Sequence, residues 1–97
     1  MRILSKRVLR EFWDKNRDAE QALLIWYKEV SKGKFKSTKE LTDVFSSCRP
    51  IGSNRYIFNI KGNNYRLVVR ISFELGTVWI RFIGNHEAYN KINALKI

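Results

Sequence analysis

Ninety-seven residues, 44% of them hydrophobic and 13% aromatic, suffice for one domain (residues 1–97) with a modest core, and they exclude a disordered chain. Nineteen Lys and Arg against nine Asp and Glu leave a net charge of +10, which favours a polyanion or a strongly acidic partner without choosing between RNA, DNA and protein. The longest apolar stretch, Ala22–Tyr27, is far too short for a membrane span, and Arg2, Lys6, Arg7 and Arg10 leave no apolar leader, so the expectation is a cytoplasmic protein with no membrane partner.

The first half reads as helical. Arg2–Leu4 is a short strand or an unstructured lead-in. Ser5 is placed to cap a helix running to about Lys15, with Val8, Leu9, Phe12 and Trp13 on one stripe. Asp18 is placed to cap a second, to about Lys32, whose Ala19, Leu23, Trp26 and Val30 share a side, and Gly33 suits a left-handed stop. Ser37-Thr38-Lys39-Glu40 has capping-box spacing ahead of Leu41, Val44 and Phe45, which predicts a third, short helix. Cys48, the only cysteine, falls in a predicted loop, Ser46-Ser47-Cys48-Arg49-Pro50, and reads as an incidental small residue. One Cys and one His cannot complete a tetrahedral zinc site, so no metal and no cofactor are expected. Pro50-Ile51-Gly52-Ser53-Asn54 is turn chemistry and closes the helical half.

The period then changes. Arg55–Ile60, Tyr65–Phe73 and Thr77–Ile83 alternate apolar and polar residues, as half-buried strands do, and a helix over about His86–Leu95 ends the chain. The expected class is α+β, with helices packed on one face of a small twisted antiparallel-rich sheet and a short C-terminal helix.

Parity assigns the faces. Tyr65, Leu67, Val69, Ile71 and Phe73 point to the core; Arg66, Val68, Arg70 and Ser72 point away. A turn through Leu75-Gly76 is expected to pair Phe73 with Val78, Ile71 with Ile80 and Val69 with Phe82, which sets Arg70 opposite Arg81 and beside Trp79. A turn at Gly62-Asn63 pairs Ile60 with Tyr65 and Tyr56 with Val69, so Asn59 faces Arg66 and Arg55 faces Arg70. One row then holds Arg55, Arg70 and Arg81; a second holds Asn59, Arg66 and the chain near Asn85 and His86. Like charges directly opposed destabilise a sheet by up to about 1 kcal/mol each. A solvated face of splayed arginines is the bland reading. A surface awaiting phosphates is preferred, because Trp79 and Asn59 interleave stacking and hydrogen-bonding groups with the cations.

That face carries the means to cut RNA without metal, using the substrate's own 2′-hydroxyl as nucleophile. Arg66 and Arg81 suit charge stabilisation, since guanidinium forks match phosphate geometry. His86 is the only side chain of a type that titrates near neutrality, and Tyr89 three residues on shares its helix face; the pair could divide acid and base roles. Arg55, Asn59, Lys61, Arg70 and Trp79 are the expected RNA-binding residues, although Lys61 alone could be a mere turn residue.

Three segments together resemble HigB toxins of the RelE-like superfamily over essentially the whole chain: Asn54-Arg55-Tyr56-Ile57-Phe58-Asn59-Ile60-Lys61-Gly62-Asn63, Tyr65-Arg66-Leu67-Val68-Val69, and Ile80-Arg81-Phe82-Ile83-Gly84-Asn85-His86-Glu87-Ala88-Tyr89. The resemblance implies a ribosome-dependent mRNA endonuclease acting in the decoding site. Its implied partner is a HigA-type antitoxin with a helix-turn-helix domain, and operator DNA would be met only through that antitoxin. It also implies that Arg66 is the phosphate-stabilising arginine, that His86 stands where some relatives carry a catalytic arginine, and that Asn59 stands where some carry a lysine. Asn85 and Asn90 replace the Thr and Asp of the usual ending, leaving Glu87 as the remaining acidic candidate for orienting His86. The alternatives are a non-catalytic RNA- or ribosome-binding module and a corepressor acting only through its partner.

Overall fold

Two hydrophobic periods divide the chain, and the computed structural model, which describes all residues Met1–Ile97, folds them into two layers. The helices come first: α1 over Lys6–Lys15, α2 over Glu20–Lys32 and α3 over Thr38–Val44. Leu9 and Trp13 of α1 and Leu23, Trp26 and Val30 of α2 are buried, as their spacing predicts. The ends differ from expectation. Ser5 precedes α1 in a left-handed conformation (φ 78°) and its side chain caps nothing; its carbonyl instead accepts from the Val8 N–H at 2.9 Å.

Asp18 lies in a single 3₁₀ turn, Arg17–Ala19, and its carboxylate accepts the Tyr65 hydroxyl at 2.6 Å. It ties the helical layer to the sheet instead of capping α2, and that bond raises the Tyr65 phenol above its ordinary pKa. Gly33 is extended (φ −73°, ψ 151°), not left-handed. A side chain there would run into the Phe35 ring, which explains the glycine sterically. Ser37 caps α3 as predicted, its Oγ accepting from the Glu40 N–H at 3.2 Å; the reciprocal Glu40 bond goes to the Lys36 N–H.

The second layer is a five-stranded sheet in the order β1-β5-β4-β3-β2, formed by β1 Arg2–Leu4, β2 Cys48–Gly52, β3 Arg55–Ile60, β4 Tyr65–Ser72 and β5 Thr77–Asn85. The lead-in is therefore a strand, parallel to β5; every other pairing is antiparallel. Cys48 and Pro50 lie in β2, not in a loop. Pro50 is tolerated because β2 is an edge, where a missing N–H breaks no inner ladder. Cys48 is 7% exposed within the core, and burial pushes its thiol up to about 12.

Between β3 and β4 the pairing follows the predicted register throughout, Arg55 opposite Arg70 and Asn59 opposite Arg66 included. Between β4 and β5 it does not. Ser72 pairs with Thr77, Ile71 with Val78, Arg70 with Trp79 and Val69 with Ile80. The cause is local: the Ser72 Oγ accepts the Leu75 N–H at 3.1 Å and closes the turn early, while Phe73 leaves the strand to pack edge-on against Tyr56, with ring centroids 6.0 Å apart. A bulge then adds one residue to β5, so Val68 meets Phe82 and Arg81 has no partner.

Leu67, Val69 and Ile71 pack beneath the helices with Leu9, Leu23, Trp26 and Phe58. The α+β class is as expected, with α1–α3 on one face of the sheet and a short helix ending the chain. The last helix, α4, spans only His86–Asn90, and with the residues to Ile97 it lies on the other face, where Tyr89, Ile92, Ala94 and Ile97 cover Ile57, Val68 and Phe82. It stops at Asn90 rather than near Leu95, and beyond it the Asn93 side chain accepts the Leu95 N–H, the local bond with which Asn competes against helix.

The raised Cys48 pKa yields a direct expectation. The folded state holds the thiol proton to higher pH than the unfolded chain, so this group's stabilisation is complete below the free-thiol range and is lost as pH climbs toward about 12. Iodoacetamide at pH 8 should leave the native chain unmodified and alkylate Cys48 only after denaturation; equal labelling rates in the two states would contradict the burial.

Candidate active site on the outer sheet face

Alternation along β3, β4 and β5 sends Arg55, Asn59, Arg66, Arg70 and Trp79 to the face away from α1–α3. The first row across the strands is Arg55, Arg70, Trp79; the second is Asn59, Arg66, Gly84. Arg81 is therefore not opposite Arg70. It sits exposed at the bulge, two residues after Trp79, and Arg70 lies over the Trp79 ring, its Cζ 5.0 Å from the centroid. Lys61 is exposed in the β3–β4 turn with a left-handed backbone (φ 52°).

Arg66 is the most constrained of these cations. Its Cζ lies 4.7 Å from the centre of the Tyr89 ring, and that ring leans on Phe82 at 6.3 Å. Its Nε is buried with no hydrogen-bond partner. A cation–π contact of this kind contributes roughly 0.5–2 kcal/mol, while an unsatisfied buried donor costs roughly 1–3 kcal/mol. The two nearly cancel, so Arg66 adds little to stability where it stands. Gly84, directly across from Arg66, keeps the approach of α4 open: a side chain there would meet the Phe82 ring at 2.6 Å and Ala88 at 3.2 Å.

His86 follows β5 at once. Its Nε2 lies 2.6 Å from the main-chain carbonyl of Asn63 in the β3–β4 turn. A carbonyl can only accept, so Nε2 carries the proton and donates it, which leaves Nδ1 as the nitrogen able to take one. Asn85 caps the short α4, accepting the Ala88 N–H at 2.8 Å. Glu87 faces Lys91 at 3.8 Å and does not orient His86. The Tyr89 hydroxyl makes no hydrogen bond within the protein, whereas each guanidinium nitrogen of Arg55 makes one. Its Nε and Nη2 donate to the main-chain oxygen of Ile97, and its Nη1 donates to that of Ser53 at 2.8 Å.

Asn59 thus stands opposite Arg66, the Tyr89 ring lies over Arg66, and His86, bonded to the Asn63 carbonyl, opens the helix that carries Tyr89. Arg70 and Trp79 form a separate pair, Arg81 is exposed at the β5 bulge, and Arg55 is turned toward the C-terminal segment. None of the four arginines meets an Asp or Glu side chain: the ion pairs are Arg7–Glu11, Arg17 with Asp14 and Glu20, Lys39–Asp43 and Lys91–Glu87. No three of the His, Cys, Asp and Glu side chains gather to hold a metal ion. Sequence reasoning missed the Asn63 carbonyl, which being main chain leaves no residue signature. It also missed Phe82, whose outward turn depends on the bulge.

Against known proteins, a profile of the HigB toxin family, described as the RelE-like toxic component of a toxin–antitoxin system, matches residues 19–92. The chain is 27% identical over 97 residues to the mRNA interferase toxin HigB of Escherichia coli (strain K12), an alignment covering 98% of this chain and 93% of that protein. The mRNA interferase HigB of Shigella flexneri is similar to the same degree, 27% over 97 residues.

Tyr89 has two separable roles in this geometry, a ring that packs and a hydroxyl that is free. Tyr89→Phe should change unfolding stability by less than about 0.5 kcal/mol, whereas Tyr89→Ala, which uncovers Phe82 and Val68, should cost about 2 kcal/mol. Urea titrations of the two variants measure this, and equal losses would show that the hydroxyl is structural.

Proposed function

The chain belongs to the HigB family of RelE-like toxins, and from that premise we propose that it is a metal-independent mRNA endoribonuclease that acts on the ribosome and so inhibits translation. The observation that carries the proposal is the placement of Arg66, beneath Tyr89, with an unpartnered buried Nε and no carboxylate in reach. A cation held in a fixed place at no gain in stability suits a group that arrives with the substrate, and a phosphate is the anion that a guanidinium fork fits best.

The chemistry follows from the groups beside it. The 2′-oxygen of the RNA attacks the adjacent phosphorus as its proton passes to His86 Nδ1, the nitrogen left free by the bond to Asn63. Arg66, assisted by Arg81, stabilises the charge that builds on the phosphoryl oxygens. The P–O5′ bond breaks, and the free hydroxyl of Tyr89 protonates the departing oxygen, leaving a 2′,3′-cyclic phosphate and a 5′-hydroxyl. DNA lacks the attacking hydroxyl and is not cut. Arg70 and Trp79 offer a cation and an aromatic plane to a neighbouring nucleotide, and Asn59 and Lys61 border the other side. Translated message in the ribosomal decoding site, in the cytoplasm, is the substrate. The antitoxin is of HigA type with a helix-turn-helix domain, and operator DNA is met only through it.

The test is cleavage of a translated mRNA in a ribosome-containing extract. Arg66→Ala and His86→Ala should each lower the cutting rate by roughly 100-fold or more, with circular dichroism unchanged. Wild-type cutting by both variants would overturn the site. Ribosome binding without cleavage of any message by the unmutated chain would instead make this a non-catalytic binding module.

A further inference from the structure

The segment after α4 has few means of holding itself in place. α4 spans five residues, too short to be stable alone, and no regular element follows it. Two contacts hold it to the sheet. One is apolar: Ile92, Ala94 and Ile97 pack with Ile51, Ile57, Val68, Phe82 and Tyr89, and Ile57 and Val68 are 1% and 0% exposed beneath them. The other is polar: Arg55, from the first position of β3, donates from Nε and Nη2 to the main-chain oxygen of Ile97 and from Nη1 to Ser53. Both contacts act on the residues that follow α4, the helix that carries Tyr89, and the Tyr89 ring packs on Arg66.

We infer that Arg55 is a positioning residue and not a phosphate contact: it clamps the C-terminal segment to the sheet and thereby sets the Tyr89 ring over Arg66. Geometry favours this over direct substrate contact. All three guanidinium nitrogens already donate to main-chain oxygens, those of Ile97 and Ser53. The clamp also answers the electrostatic conflict of Arg55 directly opposite Arg70. One guanidinium turns to the Ile97 oxygen and the other to the Trp79 ring, so the like charges diverge.

The inference rests on the proposed roles of Arg66 and Tyr89, and the experiment separates the two. Hydrogen exchange of residues 89–97 and steady-state cleavage on programmed ribosomes are measured for the intact chain, Arg55→Ala, Arg55→Lys and Arg66→Ala. Arg55→Ala should speed exchange in 89–97 and lower kcat by about 10- to 100-fold while KM and its salt dependence stay unchanged. Arg55→Lys, which keeps one donor for the Ile97 oxygen, should recover part of both. A raised KM with a shallower salt dependence and unchanged kcat would make Arg55 a phosphate contact and overturn the clamp. Unchanged exchange in Arg55→Ala would overturn it too, whatever Arg66→Ala does. Faster exchange with kcat intact, where Arg66→Ala is inactive, would leave the site reading standing and remove the positioning role.

Discussion

The centre of β4 is buried from both sides, and the site depends on that. Leu67, Val68 and Val69 all have no exposed surface: the outer two lie under the helices, and Val68 lies under the C-terminal segment. A strand covered on both faces cannot slip by one residue without driving an apolar side chain into water, at about 25 cal/mol per Å². Arg66 and Arg70 stand two residues either side of Val68 on the outer face, so the plug that seals Val68 also fixes the spacing between the two arginines. The same plug brings Tyr89 over Arg66. The fold's second, smaller core therefore both stabilises the sheet and builds the candidate site.

The bulge in β5 does related work. Were the ladder regular, Phe82 would keep the parity of Ile80 and point to the helices. The extra residue turns Phe82 outward to meet Val68 and Tyr89, leaves Arg81 unpartnered and exposed, and returns Ile83 to the core opposite Leu67. One irregularity thus supplies a wall for Tyr89 and leaves one guanidinium of the strand exposed. Bulges are common next to active sites for this kind of re-aiming.

How far the sequence alone reached follows from the range of the forces involved. Burial of Leu23, Trp26 and Val30, and the whole β3–β4 register, were legible because period and turn chemistry are local properties. Asn59 opposite Arg66 came from parity and one glycine-containing turn, and it stands as read. The β4–β5 register failed because a serine side chain closed the turn early and Phe73 found a partner in Tyr56, on the neighbouring strand β3. The strand at Cys48 and Pro50 is not legible locally, because proline argues against a strand unless the strand is an edge, and edge position is a property of the assembled sheet. The placement of α4 and the following residues on the outer face was illegible for the same reason: Ile92, Ala94 and Ile97 carry apolar character but nothing that says which face of the sheet they will cover.

The distribution of charge explains why the arrangement survives. Of the nine acidic residues, seven precede Phe45. The ion pairs therefore gather on the helices, where pairs of exposed groups add little, and the sheet's arginines are left without Asp or Glu partners. A carboxylate beside Arg66 or Arg70 would stabilise the free protein and would compete with a phosphate for the same guanidinium. The helical layer holds most of the ion pairs and buries one unpartnered donor of its own, Trp26 Nε1, while the outer face combines opposed arginines, the orphaned Arg66 Nε and an exposed cation at a bulge. Departures of that kind, concentrated on one surface with compensation supplied elsewhere, mark where a fold gives up stability to meet a ligand. Here the surface that accepts the cost is the one a polyanion would relieve.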